Sequence, residues 1–216
     1  MCNLYRMTSN ADAIAQLFAP LATGGVNVPA YHEIFPDYEA PVIVADEDSS
    51  APRRIAQMKW GWPPFGQVKR PITNIRNLAS PMWRNALADP RRRCLVPVTE
   101  FSEWSATPDP ATGRKRKHWF ALRDDPLFAF AGLWRPTADG PRYAFLTCEA
   151  NRLVGAIHPK AMPVILRGGE EADRWLAADG ESAATMQCAF DDTGMREVEV
   201  PELAPDAAPP VQGSLL

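Results

Sequence analysis

Cys2 stands apart from the other residues that can do chemistry, because it follows a removable initiator, Met1. Removal of Met1 leaves a free α-amine beside the thiol, a pairing no internal cysteine can offer. An α-amine titrates near ~8 against ~10.4 for lysine, so at neutral pH roughly a few hundred times more of it is unprotonated. Such a terminus suits an N-terminal nucleophile acting on an acyl group, or an amine that condenses with an aldehyde. The plain alternative is a small residue after the start. Four further places carry reactive groups. Asn74 with Arg76 can offer an amide to a developing oxyanion and a cation to a phosphate, or can simply cap a loop. Glu100 and Glu103 stand beside Phe101 and Trp104, and an acid against an aromatic wall has a raised pKa suited to proton shuttling. The competing reading is two surface glutamates. His158, in an apolar stretch before Pro159, suits a general acid or base as well as it suits a satisfied, half-buried histidine. Trp60 and Trp62 can present a flat face to a nucleobase or pack the core. His32 and His118 have no comparable setting and read as structural.

Composition excludes several classes. The chain has 216 residues, 46% of them hydrophobic and 23% charged, which fits one globular domain, or two small ones, with a sizeable core. Its net charge of −3 argues against a generally basic nucleic-acid coat but leaves room for a local basic groove. Basic residues do clump, at Arg91-Arg92-Arg93 and at Arg114-Lys115-Arg116-Lys117, and each clump alone reads as a solvated loop. Cys2, Cys94, Cys148 and Cys188 are far apart and lack ligand spacing with histidine, so no metal and no cofactor are expected. No phosphate-cradling glycine motif and no serine nucleophile elbow occurs, which excludes those hydrolase chemistries. Residues 1–20 lack the apolar core of a signal peptide, and no apolar run approaches the ~18 residues a membrane helix needs. A cytoplasmic protein with reduced thiols is expected.

The elements that must position these groups are short. The 22 prolines favour turns and strand edges over long helices. A helix is expected from about Ser9 to Phe18, capped by Ser9 or Asn10 and stopped by Pro20, and a second from Pro81 behind Ser80. Residues 20–40 and 71–77 read as turn-rich or irregular, and Asp46–Ser50 as a turn. Strands are expected at Pro41–Ala45, Arg53–Trp60, Cys94–Val98, His118–Leu122, Leu127–Leu133, Tyr143–Thr147 and Val164–Leu166, with an edge strand at Arg196–Val200. The basic loop 106–117 reads as a hairpin tip. Glu149–Gly155 and Glu170–Ala178 read as helices, the latter closed by Gly180. Strands outnumber helices without alternating with them. The expected fold is α+β: one domain over 1–200, a largely antiparallel, barrel-like core with short peripheral helices, and a loose tail over 201–216.

The order of these motifs resembles the SRAP (SOS response-associated peptidase) family, proteins that shield abasic sites in single-stranded DNA. The landmarks are Met1-Cys2, Met58-Lys59-Trp60-Gly61-Trp62-Pro63, Thr73-Asn74-Ile75-Arg76, Arg93-Cys94-Leu95-Val96-Pro97 leading to Phe101-Ser102-Glu103-Trp104, Ala131-Gly132-Leu133-Trp134, and Phe145-Leu146-Thr147 through Asn151 to His158. The resemblance implies that Met1 is lost, in part by self-cleavage, and that Cys2 closes a thiazolidine on the ring-opened aldehyde of an abasic site. It further implies that Asn74 orients the sugar or the Cys2 backbone, Glu103 shuttles protons, and His158 assists ring opening and imine formation. Arg76 would hold a flanking phosphate, with Trp60 and Trp62 near the strand. Lys160 stands where the family places arginine, and Arg6 is the candidate replacement for the arginine the family carries where Leu4 stands here. The implied partner is single-stranded DNA, met by a monomer near the nucleoid during repair. A rival class, an N-terminal-nucleophile cysteine peptidase or amidohydrolase, uses the same Cys2 with Glu103 or His158 as base.

Overall fold

The computed structural model describes residues 2–22, 28–46, 51–64, 66 and 68–199. Met1, residues 47–50 of the expected turn and the expected tail from 201 lie outside the described residues. Along the chain run β1 (Tyr5–Met7), α1 (Ala11–Leu17), β2 (Tyr31–Ile34), β3 (Glu39–Ala45), β4 (Arg53–Trp60), β5 (Asn74–Ile75) and α2 (Pro81–Ala88). There follow β6 (Arg93–Val98), β7 (Glu100–Trp104), β8 (Lys117–Leu122), β9 (Phe128–Arg135), β10 (Arg142–Cys148) and α3 (Arg152–Gly155). The last are β11 (Met162–Pro163), β12 (Ile165–Leu166), α4 (Glu170–Ala177), α5 (Gly180–Ala184) and β13 (Met195–Val198).

The core is a barrel. β3 pairs antiparallel with β4 and with β6, β6 with β9, and β9 with β10. β10 then returns parallel to β4, and this closes the ring. Closure explains why β3 and β6 read as unbroken apolar runs: both of their faces are buried. β6 and β9 approach closely where Cys94 faces Gly132, and a Cβ on Gly132 would stand 2.7 Å from the Cys94 sulfur. A second sheet, in the order β13-β8-β7-β1-β2, lies beside the barrel. The chain crosses between the two within one residue, Thr99, so β7 is a direct continuation of the barrel wall.

Buried cations tie helices to this frame. Arg93, fully buried on β6, donates to the carbonyls of Leu87, Trp175 and Ala178 and so satisfies the carboxyl ends of α2 and α4 together. Arg53 reaches from β4 to the Phe18 carbonyl after α1 and pairs with Asp173 of α4.

The fold is α+β, as the sequence implies, and several local expectations change. Asn10, not Ser9, caps α1, and the Ser80 side chain makes no cap bond to α2. Residues 31–34 and 74–75 are strands rather than irregular chain, because their partners β1 and β10 supply hydrogen bonds that no local pattern reveals. The strand expected at Val164–Leu166 is Ile165–Leu166 alone, paired with β9, and Met162–Pro163 just before it forms a separate strand on β10. Gly180 does not end a helix; it opens α5, capped by the Asp179 side chain.

Candidate functional site

Residues 2–4 bridge the two sheets. The Leu4 carbonyl accepts from the Ser102 amide at 3.0 Å, the Ser102 hydroxyl at 3.3 Å and the Cys2 thiol at 3.5 Å, which fixes the start of the chain along β7. One residue on, Tyr5 enters the aromatic core, edge-on to Trp60, Phe130 and Phe145, with its hydroxyl bonded to that of Tyr143. A large ring driven into the barrel is what holds so short a terminus in place.

Asn74 meets Cys2 directly, the Glu103 charge bears on it, and His158 joins through Glu103. Asn74, set by the pairing of β5 with Phe145 of β10, donates its Nδ2 to the Cys2 carbonyl at 3.0 Å and to Thr73 Oγ1 at 2.7 Å. Its Oδ1 is buried with no hydrogen-bond partner among the described residues, a spare acceptor beside Cys2. Glu103 on β7 is 1% exposed, and burial pushes its carboxyl up to about 7. His158, on the turn after α3, brings Nε2 to 3.9 Å from Glu103 Oε2. Burial holds this imidazole below its ordinary value, so it is neutral at neutral pH. The Cys2 thiol is fully buried, and desolvation first, then the nearby Glu103 charge, raises it far above the ordinary thiol range. The result is a protonated thiol beside a carboxyl that can give or take a proton near neutrality.

The remaining sequence candidates lie elsewhere. Trp60 is 0% exposed and donates to the Thr73 carbonyl, and Trp62 is 3% exposed and donates to the Leu133 carbonyl. Neither offers a face for stacking, which corrects that expectation: Trp60 lies against Tyr5 and Phe145 in the core, and Trp62 against Trp83. The exposed tryptophan next to the site is Trp104, 44% accessible and directly after Glu103, with the Lys117 ammonium 5.4 Å over its ring. Strand alternation around Glu103 was the signal that could have found it. Arg6 is committed within the second sheet: it pairs with Glu100 at 2.8 Å, donates to the His32 carbonyl and stacks on Trp119 at 3.7 Å. Arg76 is partly exposed and pairs loosely with Glu149 at 3.4 Å; Lys160 is exposed on the His158 turn. His118 bonds Glu197 at 2.6 Å on the far strands. No group of three or more His, Cys, Asp or Glu side chains able to hold a metal ion occurs among the described residues. No helix among them is long and apolar enough to cross a membrane.

A closed barrel whose first cysteine sits among an amide, a carboxyl and an imidazole is the class that fold and site define. The chain belongs to the SRAP (SOS response associated peptidase) family, whose model matches residues 1–205. It is similar to the abasic site processing protein YoaM of Bacillus subtilis (strain 168), 26% identical over 201 residues that span 87% of this chain and 84% of that protein. Among solved structures it resembles a Bordetella bronchiseptica protein, with 25% identity and a TM-score of 0.73, covering 93% of this chain and all of that one. A Bacteroides thetaiotaomicron protein shares the fold at 21% identity and a TM-score of 0.70, covering 93% of each chain.

Proposed function

We propose that this protein processes abasic sites in single-stranded DNA by forming a covalent thiazolidine between Cys2 and the ring-opened sugar. The observation that carries the reading is the placement of Cys2 against Asn74 and within the field of a carboxyl that titrates near 7. Loss of Met1, by self-cleavage at this same site, frees the Cys2 nitrogen. That nitrogen adds to the aldehyde carbon, Glu103 carries the proton from nitrogen to the carbonyl oxygen, and one water leaves to give the imine. The sulfur then adds to the imine carbon while the thiol proton passes through Glu103 to nitrogen. One carbon–nitrogen and one carbon–sulfur bond form, and one water is released. Neutral His158 relays protons to and from Glu103, and the spare Asn74 oxygen accepts a sugar hydroxyl. Recognition rests on phosphate contacts by Arg76 and Lys160 and on base stacking by Trp104, since the lesion has no base edge to read.

The raised thiol supports this order of events over thiolate attack on an amide, the rival hydrolase reading, because a hydrolase needs the thiolate first. The test is a denaturing gel with a Cys2→Ala variant and an abasic oligonucleotide. The variant keeps an α-amine but has no sulfur, so it gives a stable adduct only when borohydride traps its imine. Full, heat-stable crosslinking by the Ala variant without reductant would overturn the proposal.

A further inference from the structure

The chain is net negative, yet four consecutive cations, Arg114 to Lys117, run from the loop of the hairpin formed by β7 and β8 into the first residue of β8. This is the hairpin whose first strand carries Glu103. The loop has a defined shape. The Ser105 amide donates to the Arg116 carbonyl at 2.9 Å and the Arg116 amide to Ser105 Oγ at 3.0 Å. Higher up, Asp109 and Gly113 amides close the tip on Arg114 and Asp109 carbonyls at 2.8 Å each. Gly113 takes a positive φ of 66° where a side chain would be strained. The hairpin is also tied to the site: the Ala106 amide donates to the carbonyl of Ile157, the residue before His158, at 2.9 Å.

The four cations are not equivalent. Lys117 is spoken for, with Glu33 at 3.7 Å and the rings of Trp104 and Trp119 beneath it. Arg114, Lys115 and Arg116 are exposed and enter no ion pair among the described residues. Asp109 is the one acid between residues 105 and 116, and its carboxylate accepts from the Ala111 amide. The Lys115 and Lys160 charges both bear on His158, which sets the tip and the His158 turn on the same flank of the site. A merely solvated loop needs neither the tie to Ile157 nor an unneutralised cation triplet beside the His158 turn.

We propose that Arg114, Lys115 and Arg116 form a phosphate-binding arm that holds the DNA strand on the β7 flank of the site, in addition to the contact supplied by Arg76 after β5. The proposal rests on the reading of the site as a receiver of single-stranded DNA, and names the residues that grip the strand away from the lesion. Guanidinium forks and an ammonium on an open loop suit a flexible polyanion, whose phosphates need charge rather than a shaped pocket.

The test uses an undamaged single-stranded oligonucleotide, which has no aldehyde and reports non-covalent binding only. Affinity is measured from roughly 50 to 200 mM salt for the full chain and for the triple variant Arg114→Gln, Lys115→Gln, Arg116→Gln. Each phosphate contact on a single strand contributes about 0.7 to the slope of log K against log salt, so losing three lowers the slope by about 2. A second variant, Arg114→Lys with Arg116→Lys, keeps the slope, because counterion release counts charges. An unchanged slope in the Gln variant overturns the arm while leaving Cys2 capture intact, provided the unaltered protein binds. If the unaltered protein binds no single-stranded DNA at any salt, the arm and the DNA reading fall together.

Discussion

Replacing Glu103 by Gln separates stability from chemistry in one variant. Glu103 is buried at 1% exposure, and its carboxyl titrates at about 7 in the folded chain against an ordinary value of 4.5. A folded pKa above the unfolded one means that the native state holds the proton more tightly, so stability is fully present below pH 4.5 and is lost as pH rises through 7. At about 1.4 kcal/mol per pKa unit, ionising this group in place costs the native state roughly 3 kcal/mol. Gln copies the shape of the neutral acid and cannot ionise, so the cost is absent in the variant. Urea unfolding from pH 4.5 to 8.5 should show the two proteins within about 1 kcal/mol at the acid end. At the alkaline end the Gln variant should be more stable by roughly 3 kcal/mol, the difference opening between pH 4.5 and about 7 and staying level above that. The same variant should crosslink an abasic oligonucleotide at least about 100-fold more slowly, because it has no proton to move. More stable and less active, with a pH-dependent gap, is the signature. A stability difference that stays constant across this range refutes the assignment of Glu103 as a carboxyl strained by burial.

Other positions give narrower tests. Asn74→Ala removes the hold on the Cys2 carbonyl, worth about 1 kcal/mol, and should slow crosslinking about fivefold in single-turnover kinetics with little change in melting temperature. Tyr5→Phe leaves the Tyr143 hydroxyl buried without its partner and should destabilise the fold by about 1–3 kcal/mol in urea. Adding Tyr143→Phe should recover part of that loss, since an apolar pair has nothing unsatisfied; a double variant as unstable as the sum of the singles would contradict this.

Much of the fold was legible because it was written in local patterns. The apolar runs at Val42–Val44 and Cys94–Val98 mark strands buried on both faces, and the turn chemistry around 106–116 marks a hairpin. What stayed hidden depends on distant partners. Asn74 looks like loop chain until Phe145 pairs with it, and β2 has no stripe of its own until β1 lies alongside. The site was half legible. Cys2, Asn74, Glu103 and His158 were each singled out by residue type, and the structure brings all four to one place. The tryptophans misled, because residue type alone cannot separate a ring packed on Tyr5 from one left open to a strand. Trp60 and Trp62 sit inside while Trp104, one residue past Glu103, stays outside. Arg6 misled for a related reason: its charge reads as free until Glu100 on the neighbouring strand is seen to neutralise it.

The central claim is that amine and thiol of Cys2 act together on an aldehyde. The most direct measurement is the intact mass of the protein after incubation with an abasic single-stranded oligonucleotide, under denaturing conditions and without reductant. The account predicts a single adduct equal to the protein without Met1 plus the oligonucleotide less one water, absent in Cys2→Ala. An adduct that retains Met1, or equal adduct from the Ala variant, would contradict it.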